Sequence, residues 1–135
     1  MKYLGLDIGH KVVGVAESES GIVASPLPAI AMDRNFFRSL GSIIKSEKIE
    51  LVVFGVPHHQ NGSENGLAAE IKELAKGVKN EFGVEVDFVD EYGTTKEAEA
   101  ILKKAGVDNR DLEKYDDSMA ATLILERYFA EKVSK

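Results

Sequence analysis

The sequence predicts an α/β fold with a mixed five-stranded sheet flanked by helices. Three apolar segments separated by short turns open the chain, which is typical of an antiparallel meander. Helical and strand-like segments then alternate, and right-handed crossovers make such later strands parallel. With 135 residues the chain has the usual size of one domain, so we predict a single domain over 1–135.

The three leading strands are predicted over Lys2–Ile8, Val12–Glu17 and Gly21–Ile30. A tight turn at Gly9-His10-Lys11 joins the first two strands. Pro26 and Pro28 interrupt the third strand. Because proline has no amide hydrogen to donate to a ladder, we expect this strand at the edge of the sheet.

A helix and a buried strand follow the meander. Asp33 can cap a helix that runs to about Glu47, since Phe36, Leu40 and further apolar residues recur at helical spacing. Leu51–Val56 has the continuous apolar character of a strand that is covered on both faces. The change in period therefore indicates that the chain crosses over a face of the sheet.

The same alternation continues in the second half of the chain. A polar loop over 57–65 leads into a second helix that ends near Asn80, with Leu67 and Ile71 on its inner face. Val84–Val89 is the next strand. These elements complete the predicted sheet.

Two further helices are predicted after the last strand. Thr94 stands three residues before Glu97, a capping-box pattern that opens a helix ending near Gly106. A charged connection is predicted over Val107–Lys114, and the final helix over Asp117–Val133.

Composition excludes several classes of protein. Apolar residues make up 44% of the chain and charged residues 30%, which is ordinary for a soluble globular protein. The apolar runs are too short to span a membrane, and we expect a mature cytoplasmic chain. Cysteine is absent, which excludes disulfides and thiolate chemistry. The net charge of −6 argues against a protein that coats nucleic acid by bulk electrostatics.

Two acids stand at the ends of predicted strands. Asp7 ends the first strand and Glu91 follows Val84–Val89. Ligands gather beyond the carboxyl ends of parallel strands, so both acids are candidates for a functional site. Each also has a structural interpretation, since Asp7 can cap the next turn and Glu91 can complement a helix dipole. Strand alternation lets only one of Asp90 and Glu91 share a face with Asp7, and the sequence slightly favours Glu91.

The phase of the final helix gives a third candidate. At 100° per residue Asp117 points along the apolar stripe, which contains Ala120, Ala121, Ile124 and Tyr128. The opposing side is predicted to hold Ser118, Thr122 and Glu126. Ionised carboxylates are seldom buried without a partner, so Asp117 needs a reason to face the sheet. A helix N-cap is the structural alternative.

Three such acids at one rim of a sheet form a hard oxygen site. Carboxylates suit Mg²⁺ or Mn²⁺, and a pair of these ions about 4 Å apart can activate water and stabilise a leaving oxygen. Asp7, Glu91 and Asp117 are thus a candidate set for two-metal phosphoryl transfer.

The histidines form a rival metal site. His58 and His59 are adjacent in the polar loop, and His10 lies in the first turn. Adjacent side chains on an extended backbone point apart, so solvent-facing histidines are the favoured interpretation. Thr94 and Thr95 are likewise explained by helix capping without a catalytic role.

Several ordered motifs resemble the YqgF/RuvX family over nearly the whole chain. They are Leu6–Ala16, Ser25–Ile30, Val53–Pro57 with Asn61–Glu64, Asp90–Glu91 with Thr94–Thr95, and Asp117–Ala121 before Ile124–Glu126. The resemblance implies a ribonuclease H-like fold. It also implies a Holliday junction resolvase or a nuclease that matures the precursor of 16S ribosomal RNA.

The same resemblance implies the residues and partners of the site. Asp7, Glu91 and Asp117 would be the catalytic and metal-binding acids, with Mg²⁺ or Mn²⁺ as cofactor and a 3′-hydroxyl and 5′-phosphate as products. The expected partners are structured RNA or branched DNA, ribosomal precursor particles and a second copy of the chain. Candidate substrate-binding residues are Lys11, His58, Thr94, Thr95 and Lys96.

Four residues at three places depart from the family pattern. The family usually has threonine at His10, arginine at Tyr92, and Leu-Asn in place of His58-His59. The tyrosine removes a natural phosphate clamp, because it lacks the fork of donors of a guanidinium group.

Two alternatives remain at this stage. A binding or ribosome-assembly factor on the same scaffold would perform no chemistry and cut neither branched DNA nor structured RNA. Half of an actin-like ATPase or sugar kinase would share the Asp-x-Gly turn, but those proteins pair two such domains around the nucleotide. Saturable ATP hydrolysis without nucleic acid would indicate the second alternative.

Overall fold

A computed structural model of the chain describes residues 1–56, 66–90 and 109–133, with the backbone alone for 109–117 and for 133. In chain order the elements are β1 (Tyr3–Ile8), β2 (Val12–Ser18), β3 (Ser25–Ala31), α1 (Phe36–Ser46), β4 (Leu51–Val56), α2 (Gly66–Phe82), β5 (Glu85–Asp90) and α3 (Asn109–Val133). The polar loop over 57–65 and the helix predicted to start at Thr94 lie outside the described residues.

The five strands form one sheet in the order β3-β2-β1-β4-β5. β1 pairs antiparallel with β2, and β2 pairs antiparallel with β3. β4 pairs parallel with β1 and with β5. The predicted mixed sheet is therefore confirmed. β3 lies at an edge, as Pro26 and Pro28 predicted.

Alternation along the strands divides the core between the two faces of the sheet. Leu4, Leu6 and Ile8 belong to the core that α1 and α2 cover. The opposite face packs against α3, and its buried residues include Val53 and Val89. The parity of a strand residue thus decides which helix layer it meets.

α1 and α2 pack through two reciprocal pairs of glycine and phenylalanine. A Cβ on Gly77 would lie 3.2 Å from the Phe37 ring, and a Cβ on Gly41 would lie 2.7 Å from the Phe82 ring. The two rings contact each other, with centroids 6.1 Å apart. Because Gly41 and Gly77 have no side chain, the two helices can approach each other closely.

α1 begins at Phe36 rather than directly after Asp33. The Asp33 carboxylate accepts a hydrogen bond from the N–H of Asn35 at 2.8 Å, and its carbonyl accepts one from Phe36. Aspartate often makes such a local turn, which competes with capping. Asp33 thus shapes the entry to the helix without being its N-cap.

The last helix starts earlier than predicted. α3 begins at Asn109, so most of the charged connection predicted over Val107–Lys114 is helical. Leucine, glutamate and lysine in this segment are good helix formers. The segment lacks an apolar stripe, and therefore periodicity did not reveal it.

The buried surface of α3 is wider than the predicted stripe. Ala120, Ala121, Ile124 and Tyr128 are buried, as expected. The flank predicted to oppose them is not solvated: Ser118 is 2% exposed, Thr122 is 5% exposed, and Glu126 accepts a hydrogen bond from Ala24 N–H. α3 contacts all five strands of the sheet, which explains this breadth. None of the described helices is long and apolar enough to cross a membrane.

Candidate functional site

The carboxyl ends of β1, β4 and β5 share one edge of the sheet, because these strands are parallel. Asp7 is the penultimate residue of β1 and is partly buried. Its partner on β2 is Gly14. On the other side, Leu6 pairs with Phe54, so the next residue pair of the ladder sets Asp7 beside Gly55. Both neighbouring strands therefore present no side chain directly beside Asp7.

α3 crosses β1 in the opposite direction to the strand. The Tyr3 and Phe129 rings meet edge to face, with centroids 4.8 Å apart. Two residues further along β1, a Cβ on Gly5 would lie 2.6 Å from Leu125 Cγ and 3.0 Å from the Ala121 carbonyl. As β1 approaches the carboxyl edge, it therefore meets progressively earlier residues of α3.

Ser118 anchors α3 where the ladder between β2 and β3 is irregular. The register shifts between Val13 and Val15, and Val15 faces Leu27 after the shift. The Ser118 hydroxyl accepts a hydrogen bond from Val15 N–H at 3.5 Å and donates one to the Leu27 carbonyl. Ser118 thus bridges a backbone group of β2 and one of β3 at the break.

β5 presents alternate residues to α3. Val89 is buried against α3, and Asp87 accepts a hydrogen bond from the Tyr128 hydroxyl at 2.7 Å. Phe88 lies on the other face, with the α1 and α2 core. Asp90 ends the strand, and its carbonyl accepts a hydrogen bond from Arg127 at 2.9 Å.

Asp87 is held ionised by its neighbours. Burial tends to raise its pKa, but the hydrogen bonds from Tyr128 and Phe88 N–H and the charge of Lys132 outweigh burial and lower it. Burial and the Asp87 carboxylate together raise the pKa of the Tyr128 phenol. Because Asp87 is already occupied with these partners, it is a structural acid on the α3 face.

The described residues include only part of the predicted site. Asp117 is the ninth residue of α3, so its interpretation as a helix N-cap is wrong. Lys11 is exposed in the turn between β1 and β2, and His10 beside it is exposed too. The residues that lie outside the described part are Glu91, His58, His59, Tyr92, Thr94, Thr95 and Lys96. Within the described part, no three metal-binding side chains converge.

Sequence reasoning missed three residues that shape this edge: Gly14, Gly55 and Ser118. A glycine inside a strand pattern signals a bulge or a close approach, which fits the register shift at Gly14 and the space beside Asp7. Ser118 gave no signal, because a serine on the presumed polar flank of a helix looks solvated.

The chain is similar to known proteins along its length. A family model described as RuvX, Holliday junction resolvase, matches residues 1–131. A relative from Lactococcus lactis subsp. lactis (strain IL1403), named "Putative pre-16S rRNA nuclease", is 41% identical over 132 residues, which cover 94% of this chain and 92% of the relative. A relative of the same name from Sulfurihydrogenibium sp. (strain YO3AOP1) is 38% identical, covering 94% of this chain and 88% of the relative.

Among solved structures, RuvC of T. thermophilus in complex with a Holliday junction substrate matches with a TM-score of 0.63. The alignment covers 100% of this chain and 97% of that chain at 15% identity. A second structure, of RuvC from Thermus thermophilus, matches with a TM-score of 0.55 and 15% identity. At such identities the likeness concerns the fold alone, and it confirms the ribonuclease H-like architecture that the resemblance implied.

Proposed function

Because the chain belongs to the RuvX family of Holliday junction resolvases, we propose that it is a nuclease that hydrolyses phosphodiester bonds in structured nucleic acid. The names of its relatives make the 5′ end of pre-16S rRNA the first substrate to test and a Holliday junction the second. We further propose a single catalytic domain that acts in the cytoplasm. It would act on ribosomal precursor particles in the first case and as a homodimer in the second, since resolution needs two symmetric cuts.

The course of α3 along β1 carries this proposal. Two residues of β1 span about 6.8 Å, and four residues of α3 span about 6 Å. Phe129 is level with Tyr3, and Gly5 lies between the levels of Leu125 and Ala121. One further step along both elements leads to Asp7 on β1 and to the turn of α3 that runs from 117 to 121. This register supports a pair of acids from two elements at the carboxyl edge.

The alternation of β5 supports Glu91 as the third acid. Asp87 and Val89 belong to the face that meets α3, which is also the face of Asp7. Glu91 has the same parity, whereas Asp90 has the parity of Phe88. Val89 pairs with Gly55, the glycine beside Asp7. Gly55 thus presents no side chain between Asp7 and Val89, and Glu91 is the next residue of that parity towards the carboxyl edge.

This donor set fits Mg²⁺ or Mn²⁺, because carboxylate oxygens are the hard ligands that these ions prefer. Asp7, Glu91 and Asp117 would hold the ions, and the glycines at 14 and 55 leave space for them beside Asp7. When bound, such ions lower the pKa of water and stabilise the charge on the leaving oxygen.

The surrounding residues would orient the substrate. Lys11 places a cation at the same edge, in the turn directly after β1. We propose that Lys11 contacts a phosphate next to the cleaved bond, together with His58, Thr94, Thr95 and Lys96. Ser118 would act on Asp117 indirectly, because it fixes the neighbouring turn of α3 to β2 and β3.

Cleavage of a pre-16S rRNA fragment and of a four-way DNA junction in Mg²⁺ or Mn²⁺ tests this function. Wild type should cut at least one substrate, and EDTA should abolish cleavage. Asp7→Asn and Glu91→Gln should each lose about 100-fold or more in rate, since a metal site contributes several kcal/mol to transition-state stabilisation. Asp90→Asn is the matched control and should keep most of the activity.

Three results would contradict the proposal in whole or in part. If wild type cuts neither substrate in either metal, the chain is a binding or assembly factor. If Asp90→Asn loses activity while Glu91→Gln keeps it, the assignment of the third acid is wrong. EDTA-insensitive cleavage would remove the metal from the mechanism.

A further inference from the structure

α1 carries cations and no acid. Arg38 and Lys45 lie on the helix, and Arg34 lies in the turn that leads into it. The spacing of seven residues sets Arg38 and Lys45 on one line along α1, and Arg34 precedes them in the turn before the helix. All three are exposed, on the side away from the buried Phe36 and Leu40. We call Arg34, Arg38 and Lys45 the α1 stripe.

The charge of the α1 stripe is not neutralised within the described part of the chain. None of its members forms an ion pair there. Other described cations do, namely Lys2, Lys76, Lys79 and Lys132. The whole chain has a net charge of −6. An unpaired basic line on an acidic protein favours an anionic partner over simple solubility.

The stripe starts next to the candidate active site. Met32 N–H donates to the Lys11 carbonyl at 2.9 Å, which joins the entry of α1 to the turn after β1. α1 then runs away from the carboxyl edge, because it leads back to the start of β4, which is parallel to β1. The order Lys11, Arg34, Arg38, Lys45 therefore leads from the proposed cleavage site along the side of the molecule.

We propose that the α1 stripe binds the phosphodiester backbone of the nucleic-acid arm that flanks the cleaved bond. This inference rests on the proposed nuclease function and adds the path of the substrate. From Arg34 to Lys45 the stripe is about 16 Å long. That length corresponds to about five base pairs of duplex at ~3.4 Å per step. The exposed hydroxyl of Ser42 adds a neutral donor beside it.

The stripe forms one side of the groove between α1 and α2. Arg38 and Lys45 line this groove on the α1 side, and Glu81 lines it on the α2 side. The acid on α2 repels phosphate, and the lysines of α2 at 76 and 79 are engaged with Glu73 and Glu85. Phosphate is therefore attracted to the α1 side of the groove rather than to its α2 side.

Binding of nucleic acid by a matched pair of double variants tests the stripe. Both variants are made with Asp7→Asn so that the substrate is not cut. Arg38→Gln/Lys45→Gln removes two unpaired cations from α1, and Lys76→Gln/Lys79→Gln removes two paired cations from α2. The first should bind a junction with long arms about 10- to 100-fold more weakly, and the slope of log K against log salt should fall by about two. The second should bind like the Asp7→Asn parent.

Further measurements separate the effect of charge from an effect on folding, and they identify the class of partner. Arg38→Lys/Lys45→Arg should restore binding, since it keeps the charges. On a junction with arms shorter than about five base pairs, the effect should disappear, because these arms cannot reach the stripe. Structured RNA and DNA are measured in parallel, and a vesicle of anionic lipid is the third probe.

If the two double variants bind a junction with long arms equally well, the proposal that the α1 stripe binds the flanking arm is overturned. A loss confined to the anionic vesicles would also overturn it and indicate a membrane surface instead. These outcomes differ from failure of the proposed function. If wild type does not cut, nuclease activity is contradicted. If wild type cuts normally but Arg38→Gln/Lys45→Gln binds like its Asp7→Asn parent, only the role of the α1 stripe is contradicted.

Discussion

At the residue scale, Ser118 links the packing of α3 to the candidate site. Its hydroxyl satisfies the Val15 N–H and the Leu27 carbonyl, and Asp117 is the next residue towards the carboxyl edge. Ser118→Ala removes the hydrogen bonds to the Val15 N–H and the Leu27 carbonyl, which should cost about 1–3 kcal/mol. We expect a lower midpoint in urea unfolding and a lower kcat with little change in KM, because Ser118 positions Asp117 without contacting substrate. Recovery of kcat in Ser118→Thr would confirm this role, and an unchanged kcat in Ser118→Ala would contradict it.

The pair of Tyr128 and Asp87 gives a pH-dependent prediction. The folded pKa of Asp87 is lower than its unfolded value, so its contribution to stability is present above about pH 4 and is lost as the pH falls through the folded pKa. Tyr128→Phe removes the hydrogen bond to Asp87 and should cost about 1 kcal/mol at neutral pH. The Asp87 side chain is 39% exposed, so solvent screening keeps the ionic part small. Urea unfolding at pH 7 and pH 3 should show the difference between wild type and variant shrinking at the lower pH. A constant difference would mean that packing alone is lost.

At the element scale, Gly5 sets the distance between β1 and α3. An added Cβ would lie 2.6 Å from Leu125 Cγ and 3.0 Å from the Ala121 carbonyl, which belongs to the helix backbone and cannot rotate away. Gly5→Ala should therefore push α3 outward and destabilise the fold by about 1–3 kcal/mol. Thermal unfolding measures this cost. Gly83→Ala controls for a glycine with no atom within 4 Å but a positive φ of 68°, where the cost comes from the backbone. Full stability of Gly5→Ala would contradict the close packing described for α3.

The elements differ in how far the sequence determined them. The strands were predictable because alternation and continuous apolar runs report burial directly, and prolines marked β3 as an edge. The start of α3 was not predictable, because Asn109–Asp116 is helical without an apolar stripe. The candidate role of Asp7 could be predicted because it stands at the end of a predicted strand. The burial of Ser118 and the glycines beside Asp7 depend on pairing between distant segments, which periodicity within one segment cannot report.

At the scale of the whole molecule, the positions of the charged residues matter more than their sum for binding an anionic substrate. The proposed acids would lie at the carboxyl edge of the sheet, and the α1 stripe begins beside that edge. A bound cation would reverse the local sign at the acids, and the stripe would attract the flanking arm. The net charge of −6 is thus compatible with nucleic-acid binding, because local patches rather than the total charge meet the phosphates.

The same distribution predicts how metal affects the stability of the whole chain. Three carboxylates at one edge repel each other when no cation neutralises them, so Asp7→Asn without metal should unfold at the same or a higher temperature than wild type. A cation that binds only the folded chain stabilises it by about 2.7 kcal/mol at a hundredfold excess over Kd. Titration with Mg²⁺ or Mn²⁺ should therefore raise the Tm of wild type and of Asp90→Asn but leave Asp7→Asn nearly unchanged. An equal rise in Asp7→Asn would place the cation elsewhere on the molecule and contradict the proposed acid cluster, whether or not the protein cuts nucleic acid.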